Sequence, residues 1–194
     1  MNATPEVLPQ TPVPAAASGA RRRSPLLISA LVVLLLFTIT YLVAWLRARS
    51  LTQEYLGYAG QRYQEGKYLE ALVGYQEFDE QRQRYISRGG YFQVQRIWAN
   101  RYAWPKPPGV TVADERIDEI INQKITIEDA EQFIQASSGR GNPYLGIIYL
   151  RLGELYEQEG STRDARDIYE SIAELFPNEP QLIERAQQHL QTLK

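Results

Sequence analysis

The longest apolar stretch is residues 26–45, twenty positions without a charge, thirteen of them Leu, Ile, Val or Phe. Apolarity on every face marks this stretch off from the rest, where apolar residues recur at helical spacing between Gly and Pro punctuation. Residues 112–122 and 127–137 read as two helices, with Thr111 and Thr126 as N-caps and Asp129 three residues after the second. Asn142 and Pro143 open another, carrying Ile148, Leu152, Leu155 and Tyr156. Gly160, Ser161 and Thr162 stop it and cap the next, whose stripe is Ala165, Ile168, Tyr169, Ile172 and Leu175, with Pro177 as terminator. Residues 178–194 read as a closing helix with one apolar face, Leu182, Ile183, Ala186 and Leu190. In the irregular stretch at about 85–110, Val94, Ile97, Trp98 and Tyr102 suit a helix, and the prolines around Lys106 a stiff connection. The pattern predicts an all-α fold: a single transmembrane helix, then a short solenoid of α-helical hairpins.

Length and energy both suit residues 26–45 to a membrane span. Twenty helical residues extend about 30 Å, the thickness of a bilayer's hydrocarbon core. At about −0.3 to −0.6 kcal/mol each, thirteen large apolar residues favour insertion by roughly 4–8 kcal/mol. Tyr41 and Trp45 stand near one end, where amphipathic rings prefer the interface. A cleaved signal would have a shorter apolar run and a small-x-small site, whereas this one closes on Trp45, Leu46, Arg47, Ala48 and Arg49. Residues 24–49 therefore read as an uncleaved membrane anchor, in contact with lipid through residues 26–45. Arg21, Arg22 and Arg23 precede it and two Arg follow, so the positive-inside rule places the N-terminus in the cytoplasm and the domain outside. Residues 1–23, rich in Pro and Ala before the Arg cluster, read as a disordered tail.

A lone helical hairpin cannot bury both faces, so hairpins in series must stack. Tyr149, Leu152, Gly153, Tyr156, Gly160, Ala165, Tyr169 and Pro177 stand at the spacing of one repeat of about 34 residues. This stretch resembles a tetratricopeptide repeat. Gly153 and Ala165 are small where the two helices would cross, and Tyr156 and Tyr169 would fill the space between hairpins. Ala59, Tyr63, Gly66, Ala71 and Tyr75 echo the pattern upstream, with Ala71 placed in a second helix. Ala130 lies 35 residues before Ala165, in a degenerate middle hairpin. Ala71 and Ala165 are 94 apart, so the repeat domain, residues 52–177, carries an irregular insertion. The resemblance implies a concave groove lined by the first helix of each hairpin. Carried over, that puts Ile147, Leu150, Glu154, Glu157 and Gln158 in the groove, with Glu115, Glu119, Asn122 and Gln123 from the middle hairpin. Such a groove is acidic and suits a basic or polar peptide segment. The same residues also fit the solvated faces of a purely structural solenoid.

Charge divides the chain. Residues 1–50 hold five Arg and one Glu, leaving the remainder with net charge −6. There is no cysteine, which excludes disulfides, thiolate zinc sites and Cys nucleophiles. Between Glu80 and Asp114 lie Arg82, Arg84, Arg88, Arg96, Arg101 and Lys106, interleaved with six aromatics and no acid. That stretch fits an aromatic core with an Arg-rich outer face, or a contact with protein or lipid headgroups; nucleic acid ranks last. No phosphate-binding loop, dinucleotide fingerprint, zinc-protease pair or nucleophile elbow occurs. The one histidine, His189, reads as exposed on the polar face of the last helix. The expectation is a non-enzyme with no cofactor, metal or small-molecule substrate. Its partners would be other proteins, either peptide segments or the subunits of a membrane complex. The layout is similar to membrane-anchored tetratricopeptide-repeat proteins of bacteria, some of which assist translocation or envelope assembly and others of which are accessory subunits.

Overall fold

The computed structural model describes residues 25–137, 139 and 142–193. The tail expected over residues 1–23, with its Arg cluster, lies outside them. The chain divides into two units, Met1–Leu42 and Val43–Lys194. Helix α1, Pro25–Gln64, runs through the boundary. In the first unit its side chains are exposed throughout, and it is long and apolar enough to cross a membrane. Ser29, Thr38 and Thr40 each donate a hydroxyl hydrogen bond to the carbonyl four residues back, so these three hydroxyls need no water.

The second unit is mostly helical. After α1 come α2 (Tyr68–Val73), a hairpin of β1 (Tyr75–Asp79) and β2 (Arg84–Arg88), α3 (Tyr91–Ile97) and α4 (Pro108–Glu119). A π-helical turn, Ile120–Lys124, extends α4, and α5 (Ile127–Ser137), α6 (Leu145–Glu159), α7 (Thr162–Leu175) and α8 (Pro180–Thr192) follow. The four helices read from residue 127 onward match their expected positions, and the Thr126–Asp129 cap is present, each side chain accepting the other's backbone N–H.

The hairpin corrects the all-α expectation. Ala71 is on a helix and fully buried, but α2 lasts six residues and Tyr75 begins a strand. Gly74 turns the chain at φ +82°, and a Cβ there would lie 2.1 Å from the Arg88 carbonyl oxygen, so only glycine fits. The strands pair antiparallel with Tyr75 opposite Arg88 and Phe78 opposite Tyr85. Phe78 and Tyr85 meet edge to face at 5.2 Å, and the Asp79 carboxylate accepts the N–H groups of Gln81 and Arg82 to close the turn. The helix expected through Tyr102 stops at Ile97. Gln93 fixes its start, accepting the Gly90 N–H and donating to the Val73 carbonyl.

Two apolar clusters fill the unit. The larger joins Leu72, Phe92, Val94, Ile117, Ile120, Phe133, Ile148 and their neighbours from α1 to α6. Within it Tyr144 stacks on Phe92 at 3.5 Å and donates its hydroxyl to Gln95. The smaller joins α6, α7 and α8 through Leu150, Ala165, Tyr169, Ile172, Leu182 and Ala186. Gly153 serves the role expected of it, because a Cβ there would lie 2.5 Å from the Tyr169 ring. Helix α4 runs beside α1 in the same direction. Gly109 at its start sits against Leu56, and Glu119 at its end accepts the Tyr63 hydroxyl.

Candidate protein-binding site

An open cleft of about 790 Å³ lies in the second unit. One wall is the turn after α1 with α2, from Gly66 to Glu70 and Val73 to Tyr75. The facing wall is α5, which presents Asp129, Gln132, Phe133 and Ala136. These four stand at i, i+3, i+4 and i+7, one stripe of the helix. Arg96, Asn142 and Pro143 close the end. Phe133, Leu69 and Val73 make an apolar floor, while Lys67, Arg96, Gln132 and Asn142 supply rim groups that can meet a peptide backbone or carboxylate. Several of these polar groups already have structural bonds: Lys67 pairs with Glu65 at 3.1 Å, and Asn142 donates to the Ser137 hydroxyl and accepts the Tyr144 N–H. Glu70 pairs with Arg62 at 3.1 Å, and the Asp129 carboxylate accepts the Thr126 backbone N–H and hydroxyl at the start of α5.

The residues assigned to a groove by resemblance lie elsewhere, and none lines this cleft. Leu150 is fully buried in the α6–α8 cluster and can line nothing. Ile147 borders a separate hollow of about 470 Å³ beside Leu182 and Arg185. Glu154 and Glu157 face α8 rather than an open surface. Glu154 binds Arg151 at 3.0 Å and Arg185 at 3.1 Å. Glu157 accepts the Tyr169 hydroxyl at 2.9 Å and holds His189 Nδ1 at 2.9 Å. His189 is therefore not free on a polar face: its ring stacks on Tyr169 at 4.9 Å. Burial, then the hydrogen bond to Glu157, push the Tyr169 hydroxyl far above the usual phenol range. Glu119 binds Tyr63 and Arg116, and these bonds hold its carboxyl below the usual range. Glu115, Asn122, Gln123 and Gln158 are exposed.

The repeat-pattern residues have structural places. Ala59, Ala71, Leu152, Gly153 and Ala165 are buried, and Gly66 and Gly160 end α1 and α6 with left-handed backbone. Tyr149 packs edge-on against Phe176, and Pro177 follows α7. Tyr156 does reach across to the preceding hairpin, donating its hydroxyl to Glu131. That bond, with burial, raises its pKa to about 12. Tyr169 instead packs within its own hairpin and against α8. The first-helix faces that the resemblance singles out do not meet this cleft, whose walls come from α2 and α5. The stripe Asp129, Gln132, Phe133, Ala136 marks one face of α5 in the sequence but does not say that α2 stands opposite it.

Of the aromatics between Glu80 and Asp114, Tyr91, Phe92 and Trp98 are core, and Tyr85, Tyr102 and Trp104 are exposed. Arg88 stacks on Tyr58 and pairs with Glu77 at 3.2 Å. Among the described residues no group of three or more His, Asp or Glu is placed to hold a metal ion. No protein-family model matches the chain, and neither a curated protein nor a solved structure matches it significantly.

Proposed function

We propose that this chain is a single-pass membrane scaffold whose helical domain holds segments of other proteins at the membrane surface, without catalysing a reaction. The observation that carries this reading is the cleft between α2 and α5, open, apolar at its floor and polar at its rim. A second observation supports the anchor: the helix bearing the apolar run continues to Gln64 and places Thr52 and Ala59 in the core, so the run is joined to a structural element. The acidic residues of the cleft are engaged in ion pairs and caps, which leaves no matched acid and base at its floor. The tetratricopeptide-like pattern from Tyr149 to Pro177 agrees with the α6–α7 hairpin and adds to the same reading. The proposed orientation has the N-terminus in the cytoplasm and the domain outside, from three Arg against two. Tethering raises the local concentration of partners, so weak contacts in the cleft suffice.

The second reading is a permanent accessory subunit of a membrane complex, favoured by the same join of apolar run and core in one helix. Affinity capture of the full chain in mild detergent, with partner stoichiometry quantified, separates them. Varied, substoichiometric partners lost on Gln132→Arg mean a scaffold acting through the cleft. One complex at fixed stoichiometry, indifferent to that substitution, means a subunit.

A further inference from the structure

The apolar run ends at Trp45, and a second segment of the chain is held at the same level. The Trp45 indole N–H donates to the Pro105 carbonyl at 2.9 Å, and its ring meets Trp98 edge-on at 6.3 Å. Trp98 is buried and donates its own N–H to Thr52 at 2.7 Å. Residues 99–107 are thereby pinned beside the first turns of α1 that follow the run. This segment turns its aromatics outward: Tyr102 is 73% and Trp104 75% exposed. Cations accompany them, Arg101 and Lys106 on the segment and Arg47 and Arg49 on α1. Arg101 lies 5.2 Å from the Tyr102 ring and Arg49 5.6 Å from the Trp45 ring. No acidic residue falls between Glu80 and Asp114, nor between Tyr41 and Gln53.

We propose that Tyr102 and Trp104, with Trp45 and these four cations, form a collar seated in the phospholipid headgroup layer. Amphipathic rings partition to that layer, and Arg and Lys find phosphate oxygens there. Two large exposed rings two residues apart are unusual on a surface that meets only water, whereas they suit a surface level with the end of a membrane span. The opposite end of the unit lies well clear of it. Tyr63 stands eighteen residues beyond Trp45 on α1, a rise of about 27 Å, and its hydroxyl meets Glu119. Asn122, exposed one turn later, faces bulk water under this arrangement.

The proposal rests on the anchor reading, and one experiment separates the two. The chain has no cysteine, so single spin labels are unambiguous. Leu34→Cys, Trp104→Cys and Asn122→Cys are labelled in the full chain, in nanodiscs of phosphatidylcholine and phosphatidylglycerol. Collision with oxygen and with a water-soluble nickel chelate is then compared at each site. The expected order is oxygen-dominated at 34, intermediate at 104 and nickel-dominated at 122. A label at 34 that sees nickel freely overturns the anchor. A lipid-embedded 34 with 104 as nickel-accessible as 122 overturns the collar alone. A label at 104 shielded from both agents also overturns it, since protein then covers the segment. Tyr102→Cys repeats the reading should Trp104→Cys misfold.

Discussion

His189 shows how one side chain can decide what a surface is for. Its ring is held between Tyr169 and the carboxylates of Glu154 and Glu157, with Arg185 one turn before it on α8. Two acids that would suit a basic ligand are instead bonded to Arg185, Tyr169 and His189, which fastens α8. Gly153 matters in the same region for the opposite reason, because it must be nothing at all. Gly153→Ala drives a methyl into the buried Tyr169 ring, and the expected cost is about 1–3 kcal/mol, read as a lowered midpoint in denaturant. The tyrosines give a pH signature. The Tyr156 hydroxyl, donated to Glu131, has its pKa raised from 10 to about 12, and that of Tyr169 is raised further. Both hold their protons more tightly in the fold than in the unfolded chain. Stability from these bonds is full below pH 10 and falls as pH rises towards about 12. Thermal unfolding across that interval, beside tyrosinate absorbance, should show the loss, and Tyr156→Phe should remove part of it.

At the scale of elements, the hairpin was the hardest feature to foresee. Residues 76–84 are Gln, Glu, Phe, Asp, Glu, Gln, Arg, Gln and Arg, all but Phe78 and Asp79 good helix formers, with no Asn-Gly or Asp-Gly turn. The helical spacing from Ala59 to Tyr75 pointed the same way. What overrode it was backbone geometry at Gly74, whose left-handed turn delivers the chain against Arg88. Helices α5 to α8 were legible because caps, Gly and Pro agreed with apolar periodicity at both ends of each. The cleft was not, because it depends on which helices face each other, and periodicity within one helix carries no such information. The hairpin's tip is exposed, while its base is fixed to α1 by Arg62 over Tyr75 at 3.8 Å and Arg88 over Tyr58 at 4.4 Å. Replacing residues 77–86 by a short Gly-Ser turn should therefore cost less than about 1 kcal/mol and leave the helical circular dichroism unchanged. A large loss of helical signal would mean that the tip belongs to the core.

At the scale of the whole molecule, α1 carries an apolar run long enough to cross a membrane and the second unit carries the cleft. The span can be tested by charge. Leu34→Arg should weaken insertion by about 2.5–3.5 kcal/mol and release a fraction of the chain into the carbonate-soluble pool. An apolar run that served only as a soluble helix would tolerate the change without altered partitioning. The proposed scaffold role rests on the cleft. The most direct measurement is site-specific photocrosslinking in intact membranes, with the photoreactive residue at Gln132 on the cleft wall and at Gln158 outside it. Discrete adducts from position 132, competed by the unlabelled domain and absent from 158, are the predicted result. Adducts from 158 alone, or none from 132 while the chain remains folded in the membrane, would contradict the scaffold reading.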